Sequence, residues 1–178
     1  VPAPTAPKPT LDASTPSISD TTPQVGQKLS IATGSWTSGT AFAYEWLRGT
    51  IIVSEVSTYT PTASDLGKTL SVKVTGTKSG FTSVTKTSAA TRPVAAGTLK
   101  TAIPTISGTA KVGVKLTAKA GAWTSSTTLT YRWYASGKPI SGATKSTFTP
   151  TATQLNKTLT VKVTGSRSGY TTVSKTSK

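Results

Sequence analysis

Hydrophobic and polar residues alternate with a period of two along most of this chain, and each alternating stretch occurs twice. Phe42, Tyr44 and Trp46 share one side of a segment whose other side carries Ala43, Glu45 and Leu47. Further on, Leu129, Tyr131 and Trp133 repeat the pattern against Thr130, Arg132 and Tyr134. Leu29/Ile31 match Leu116/Ala118 in the same way, and Leu70/Val72/Val74 match Leu159/Val161/Val163. Alternate side chains of a strand point to opposite faces, so these sets predict strands with one buried side. The pattern predicts strands at 16–20, 27–33, 42–48, 51–54, 57–60, 69–76 and 82–88. The second copy predicts them at 104–107, 114–120, 129–135, 138–141, 146–149, 158–165 and 171–176. No window sustains the 3.6-residue period of a helix.

The duplication extends beyond the apolar positions. Val25-Gly26-Gln27-Lys28-Leu29 returns as Val112-Gly113-Val114-Lys115-Leu116, and Tyr59-Thr60-Pro61-Thr62-Ala63 as Phe148-Thr149-Pro150-Thr151-Ala152. Lys68–Gly76 returns as Lys157–Gly165 with one change, Ser71 to Thr160. Each copy is long enough to be a small domain. Pro/Ala/Thr-rich residues 1–14 and the stretch 92–102 read as linkers, which leaves 15–91 and 103–178 as the two β-sandwich repeats. The chain starts at Val1 without Met and stops at Lys178, as a piece of a longer protein would.

Val-Gly-x-x-Leu, Gly-x-Trp (Gly34–Trp36, Gly121–Trp123), Tyr-x-Trp (Tyr44–Trp46, Tyr131–Trp133), an aromatic-Thr-Pro and Asp65-Leu66-Gly67-Lys68-Thr69-Leu70 follow one another in order. In this the chain resembles the immunoglobulin-like repeats strung in tandem on secreted and surface proteins of high-GC Gram-positive bacteria. The resemblance implies an all-β fold of two tandem, seven-stranded immunoglobulin-like sandwiches. It places Trp46 and Trp133 as core tryptophans. It also implies an extracellular bacterial location, and catalytic or other domains elsewhere in a full-length chain. Repeat 2 departs from the pattern where Gln154 and Asn156 replace Asp65 and Gly67, and Asn tolerates the left-handed turn needed there.

Composition excludes most chemistry. The chain has no His and no Cys, which removes the commonest bases, nucleophiles and transition-metal ligands. Repeat 2 has no carboxylate side chain, so it offers no acid pair for glycoside hydrolysis and no hard-cation site built from Asp or Glu. We therefore expect a non-catalytic chain with no cofactor and no metal. No stretch approaches a membrane span.

Charge separates the copies. Residues 1–97 carry eight Lys and Arg against Asp12, Asp20, Glu45, Glu55 and Asp65, a net of +3; residues 98–178 carry twelve and no acid, a net of +12. Such a field attracts anionic polymers, although Lys along strand edges also serves to block aggregation. Strand parity makes Arg132 and Lys162 outward. The resemblance, which implies that the third, sixth and seventh strands are neighbours in one sheet, puts them on one face, with Lys175 nearby if the last strand keeps a bulge. Tyr134 is outward as well. Trp123, after Gly121-Ala122, is either packed at the sheet rim or exposed as a sugar-stacking platform. These five are the candidate ligand-binding residues. The expected partner is an anionic cell-envelope polymer or glycan, held chiefly by repeat 2. A structural stalk presenting another domain is one alternative, and an adhesin or phage-borne glycan-binding module is another. Nucleic acid is disfavoured because no recognition helix or stacking motif accompanies the charge.

Overall fold

The computed structural model describes residues 6–178. It is all-β, with antiparallel pairing in four sheets. The chain divides into two compact units, Val1–Gly97 and Thr98–Lys178.

Unit 1 holds β1 (Ser17–Ile18), β2 (Leu29–Ala32), β3 (Ala41–Arg48), β4 (Ile51–Ser54), β5 (Thr58–Tyr59), β6 (Leu70–Thr77) and β7 (Val84–Thr87). They form a three-stranded sheet in the order β1-β2-β5 and a four-stranded sheet in the order β4-β3-β6-β7. Unit 2 holds β8 (Thr105–Ser107), β9 (Leu116–Lys119), β10 (Thr128–Ala135), β11 (Lys138–Pro139), β12 (Thr147–Phe148), β13 (Leu159–Ser166) and β14 (Val173–Thr176). Its sheets, β8-β9-β12 and β11-β10-β13-β14, repeat the arrangement. Each of the fourteen segments predicted from alternation contains a strand, although the strands in 16–20, 57–60, 138–141 and 146–149 are only two residues long. The helical elements among the described residues are single 3-10 turns at Ala63–Asp65 and Ala152–Gln154. One turn leaves no periodicity to detect.

The inward faces are those the alternation marked. Leu29, Trp46, Leu70, Val72 and Val74 are fully buried in unit 1, and Leu116, Trp133, Val161 and Val163 in unit 2. In unit 2 one cluster joins Leu116 and Ala118 of one sheet to Trp133 and Val161 of the other, a sandwich-like core. Each core indole satisfies its own polar atom: Trp46 Nε1 donates to the Val56 carbonyl and Trp133 Nε1 to the Lys145 carbonyl, both at 3.0 Å. A buried indole N–H without such a partner would cost stability.

The stretches read as linkers contribute buried side chains. Leu11, Val94 and Leu99 are all at most 5% exposed. Asp12 and Thr37 exchange hydrogen bonds in unit 1, as Lys100 and Thr124 do in unit 2. Pro and Ala dominate the composition of these stretches and hide the few anchoring residues.

Gly76 and Gly165 continue the inward row of β6 and β13, and each makes room for a tryptophan. A Cβ on Gly165 would lie 2.4 Å from Cζ3 of Trp123, and one on Gly76 equally close to Trp36. Gly165→Ala is therefore expected to destabilise unit 2 by about 1–3 kcal/mol through overpacking. Displacement of the Trp123 indole resonance, together with a lower denaturation midpoint, checks this.

Candidate functional site

The outward row in the middle of the four-stranded sheet distinguishes the units. In unit 1, Glu45 stands opposite Lys73 and Lys73 opposite Thr87. The Lys73 ammonium reaches the Glu45 carboxylate at 2.8 Å, with both side chains more than one-third exposed. In unit 2 the same pairing sets Arg132 opposite Lys162 and Lys162 opposite Thr176. Directly opposed like charges repel, so unit 2 holds two cations where unit 1 neutralises one. Tyr134 lies two residues along the same face, opposite Thr160 of β13 and Pro139 of β11. The next row the other way is hydroxylic: Thr130 faces Thr164, whose hydroxyl meets that of Ser174 at 2.7 Å.

Two of the five candidates lie elsewhere. β14 pairs with β13 in unbroken register, so Lys175 stands opposite Val163 and belongs to the inward row. The bulge that would have turned it outward is absent, and Thr176 takes the place beside Lys162. Trp123 packs over Gly165, again an inward position, and its Nε1 donates to the Ala120 carbonyl at 3.1 Å. It is a rim-packing residue and does not join the cations. The structure thus brings Arg132, Lys162 and Tyr134 together and separates Lys175 and Trp123 from them.

Three of the five acids of unit 1 hold structure together. Asp65 is fully buried. It accepts hydrogen bonds from the Tyr59 hydroxyl (2.7 Å), the Thr62 backbone N–H (2.7 Å), the Thr62 hydroxyl (2.9 Å) and Arg48 Nη1 (3.1 Å). Burial pushes its pKa up, but the Thr62 amide, the Tyr59 and Thr62 hydroxyls and the Arg48 charge outweigh it and hold the carboxyl below its ordinary range. Tyr59 is pushed up to about 12, first by burial and then by its bond to the Asp65 carboxylate. Asp20 accepts from the Thr22 N–H and hydroxyl and from Gln27, which lower its pKa. Glu45 is the surface partner of Lys73.

Unit 2 replaces the buried group as a set. Ala135 stands for Arg48, Phe148 for Tyr59 and Gln154 for Asp65. The amide oxygen of Gln154 accepts from the Thr151 N–H and hydroxyl, both at 2.9 Å, so the turn keeps its geometry without charge. Loss of Arg48 and Asp65 together leaves net charge unchanged. The charge difference between units therefore arises at other positions, including Glu45 to Arg132 and Asp12 to Lys100.

Beside Ala135 runs a cleft of about 530 Å³, lined also by Ser136, Lys138, Ser141, Gln154 and Lys157. Alternation gave no sign of it, because Lys138, in the short strand β11, and Lys157, just after the second 3-10 turn, are far apart in sequence. Pro139, the partner of Tyr134, lines it as well. Not every cation of unit 2 is available: Arg167 lies over the Tyr170 ring at 4.5 Å and donates to the Ser125 carbonyl. Both ion pairs among the described residues are in unit 1.

Among the described residues, no helix is long and apolar enough to cross a membrane. No three potential metal-ligating side chains gather among them either. The chain matches no protein-family model and no curated protein sequence.

Proposed function

We propose that the chain is a non-catalytic pair of immunoglobulin-like modules of a secreted or surface bacterial protein, and that unit 2 binds an anionic cell-envelope polymer. Three-stranded and four-stranded sheets around a core tryptophan support the immunoglobulin-like reading. The binding face is the outward side of β10 and β13, with Arg132 and Lys162 at its centre and Tyr134 beside them. The observation that carries the reading is the exchange of the Glu45–Lys73 ion pair for an opposed pair of cations at the same register. An anion placed between Arg132 and Lys162 relieves their repulsion, and the Arg fork suits phosphate or carboxylate. Flanking Thr and Ser hydroxyls offer further hydrogen bonds to a polyhydroxylated chain.

The test is co-sedimentation of the full chain with insoluble Gram-positive cell walls, before and after chemical removal of their anionic polymers. Surface charge interactions are screened within about 10 Å at 0.1 M salt and about 3 Å at 1 M. Sedimentation at low salt with intact walls is expected, with release as salt rises and loss when the polymers are stripped. A chain that stays in the supernatant on every preparation contradicts the proposal and favours a spacer. Salt-resistant binding to stripped walls points instead to a neutral glycan.

A further inference from the structure

In unit 1 the chain does not leave the fold at the end of β7. Ser88 and Thr91 still pair with Val72 and Leu70, and Arg92–Ala95 then runs extended between two other segments. Arg92 N–H donates to the Thr21 carbonyl, Val94 N–H to Lys68 and Ala95 N–H to Pro23, at 2.8–2.9 Å. In return the Gly67 N–H donates to the Val94 carbonyl (2.9 Å) and the Val25 N–H to that of Ala95 (3.0 Å). Val94 is 2% exposed, and Val25 and Leu70 are buried as well.

Unit 2 has the walls of this seat. Ala110 and Val112 correspond to Pro23 and Val25, and Leu155–Lys157 to Leu66–Lys68. Asn156 keeps the left-handed backbone of Gly67, with φ of 59° against 73°. Between these walls lies a groove of about 420 Å³ lined by Val112, Pro150, Leu155, Asn156, Lys157 and Leu159, among others. Val112 is 42% exposed where Val25 is 5%, and Leu159 is only half-buried where Leu70 is fully buried. The N–H groups of Val112 and Asn156 and the carbonyls of Ala110 and Lys157 meet no partner among the described residues. The groove is continuous with the β13–β14 pairing. Ser177 N–H donates to the Val161 carbonyl and the Ser177 hydroxyl accepts the Val161 N–H, as Ser88 does with Val72 in unit 1.

We propose that this groove is a strand-acceptor site, which takes an extended peptide running on in line with β14. Its ligand is a segment of the Arg92–Ala95 type: a proline, which favours extended backbone, followed by a β-branched aliphatic residue and a small one. Backbone hydrogen bonds supply the pairing and the aliphatic side chain fills the pocket beside Val112 and Leu159, which is recognition by strand addition. The site is separate from the Arg132–Lys162 face and does not depend on the polymer reading.

The test fuses the eight-residue sequence of Ala90–Gly97 to Lys178 of the full chain, since attachment raises the local concentration of a weak ligand. Hydrogen exchange at the Val112 and Asn156 amides is expected to slow by about tenfold or more. A second fusion, with aspartate in place of the valine, is expected to exchange as the unfused chain does. Equal exchange at both amides in all three proteins overturns the proposal. So does equal slowing by the valine and aspartate segments, since that removes the pocket from the recognition.

Discussion

Asp65→Ala is expected to destabilise unit 1 by about 3–5 kcal/mol, the usual cost of breaking a buried ion pair by removing one partner. The side chain is fully buried and accepts four hydrogen bonds, so its loss strands the Arg48 guanidinium, the Tyr59 hydroxyl and both Thr62 donors at once. Unit 2 provides the comparison. Gln154→Ala removes only a neutral amide that accepts from Thr151, and the expected cost is about 1 kcal/mol. The same cluster sets a pH dependence. The folded-state pKa of Asp65 is lowered, so its contribution is complete above the unfolded value of about 3.9 and is lost as pH falls through the folded one. At the alkaline end the sign reverses in form but not in outcome. Tyr59 is raised to about 12, so its contribution is present below about pH 10 and lost as pH climbs toward 12. Denaturation followed by resolved resonances of each unit should show unit 1 losing stability at both extremes. Unit 2, with Phe148 and Gln154 at those positions, should lack both losses.

Trp133→Ala is expected to cost unit 2 about 3–5 kcal/mol. The indole is fully buried, stacks near Phe148 at 5.5 Å and donates to the Lys145 carbonyl. Truncation opens a cavity between the sheets and leaves that carbonyl without its donor. A domain of this size has only about 4–12 kcal/mol of stability, so much of unit 2's fold is at stake. Trp133→Phe keeps most of the volume but not the hydrogen bond, and should cost distinctly less. Denaturant midpoints of the two variants, read from unit 2 resonances, separate the packing contribution from the bond to Lys145. Equal midpoints for both would assign the loss to the hydrogen bond instead.

The strands were legible because their signal is local. Each needs only alternation, and the duplication gave every segment a second instance. Sites built from distant residues were less legible. Arg48 shares the parity of Phe42, Tyr44 and Trp46 and therefore points inward, which demands a buried partner. That demand, and the joint replacement of Arg48, Tyr59 and Asp65 by Ala135, Phe148 and Gln154, was the available signal for the cluster. Gly76 and Gly165 carried a similar one. A glycine continuing a row of buried valines marks space for another side chain, here Trp36 and Trp123. Lys175 was misplaced because parity along β14 has meaning only once its register against β13 is known. The Arg132–Lys162 face was readable because parity marked both residues as outward and the resemblance made their strands neighbours; the uninterrupted β10–β13 register then sets them directly opposite one another.

Exchanging the charge at one register position tests the central claim most directly. Arg132→Glu in the full chain gives unit 2 the acid that unit 1 has at Glu45, and Glu45→Arg gives unit 1 the opposed cations. Both positions are on the sheet surface, so the fold is expected to survive each change. With intact walls at low salt, Arg132→Glu should lower the bound fraction by about tenfold or more, and Glu45→Arg should raise it. Binding that ignores both substitutions would contradict the assignment of the polymer site to this face.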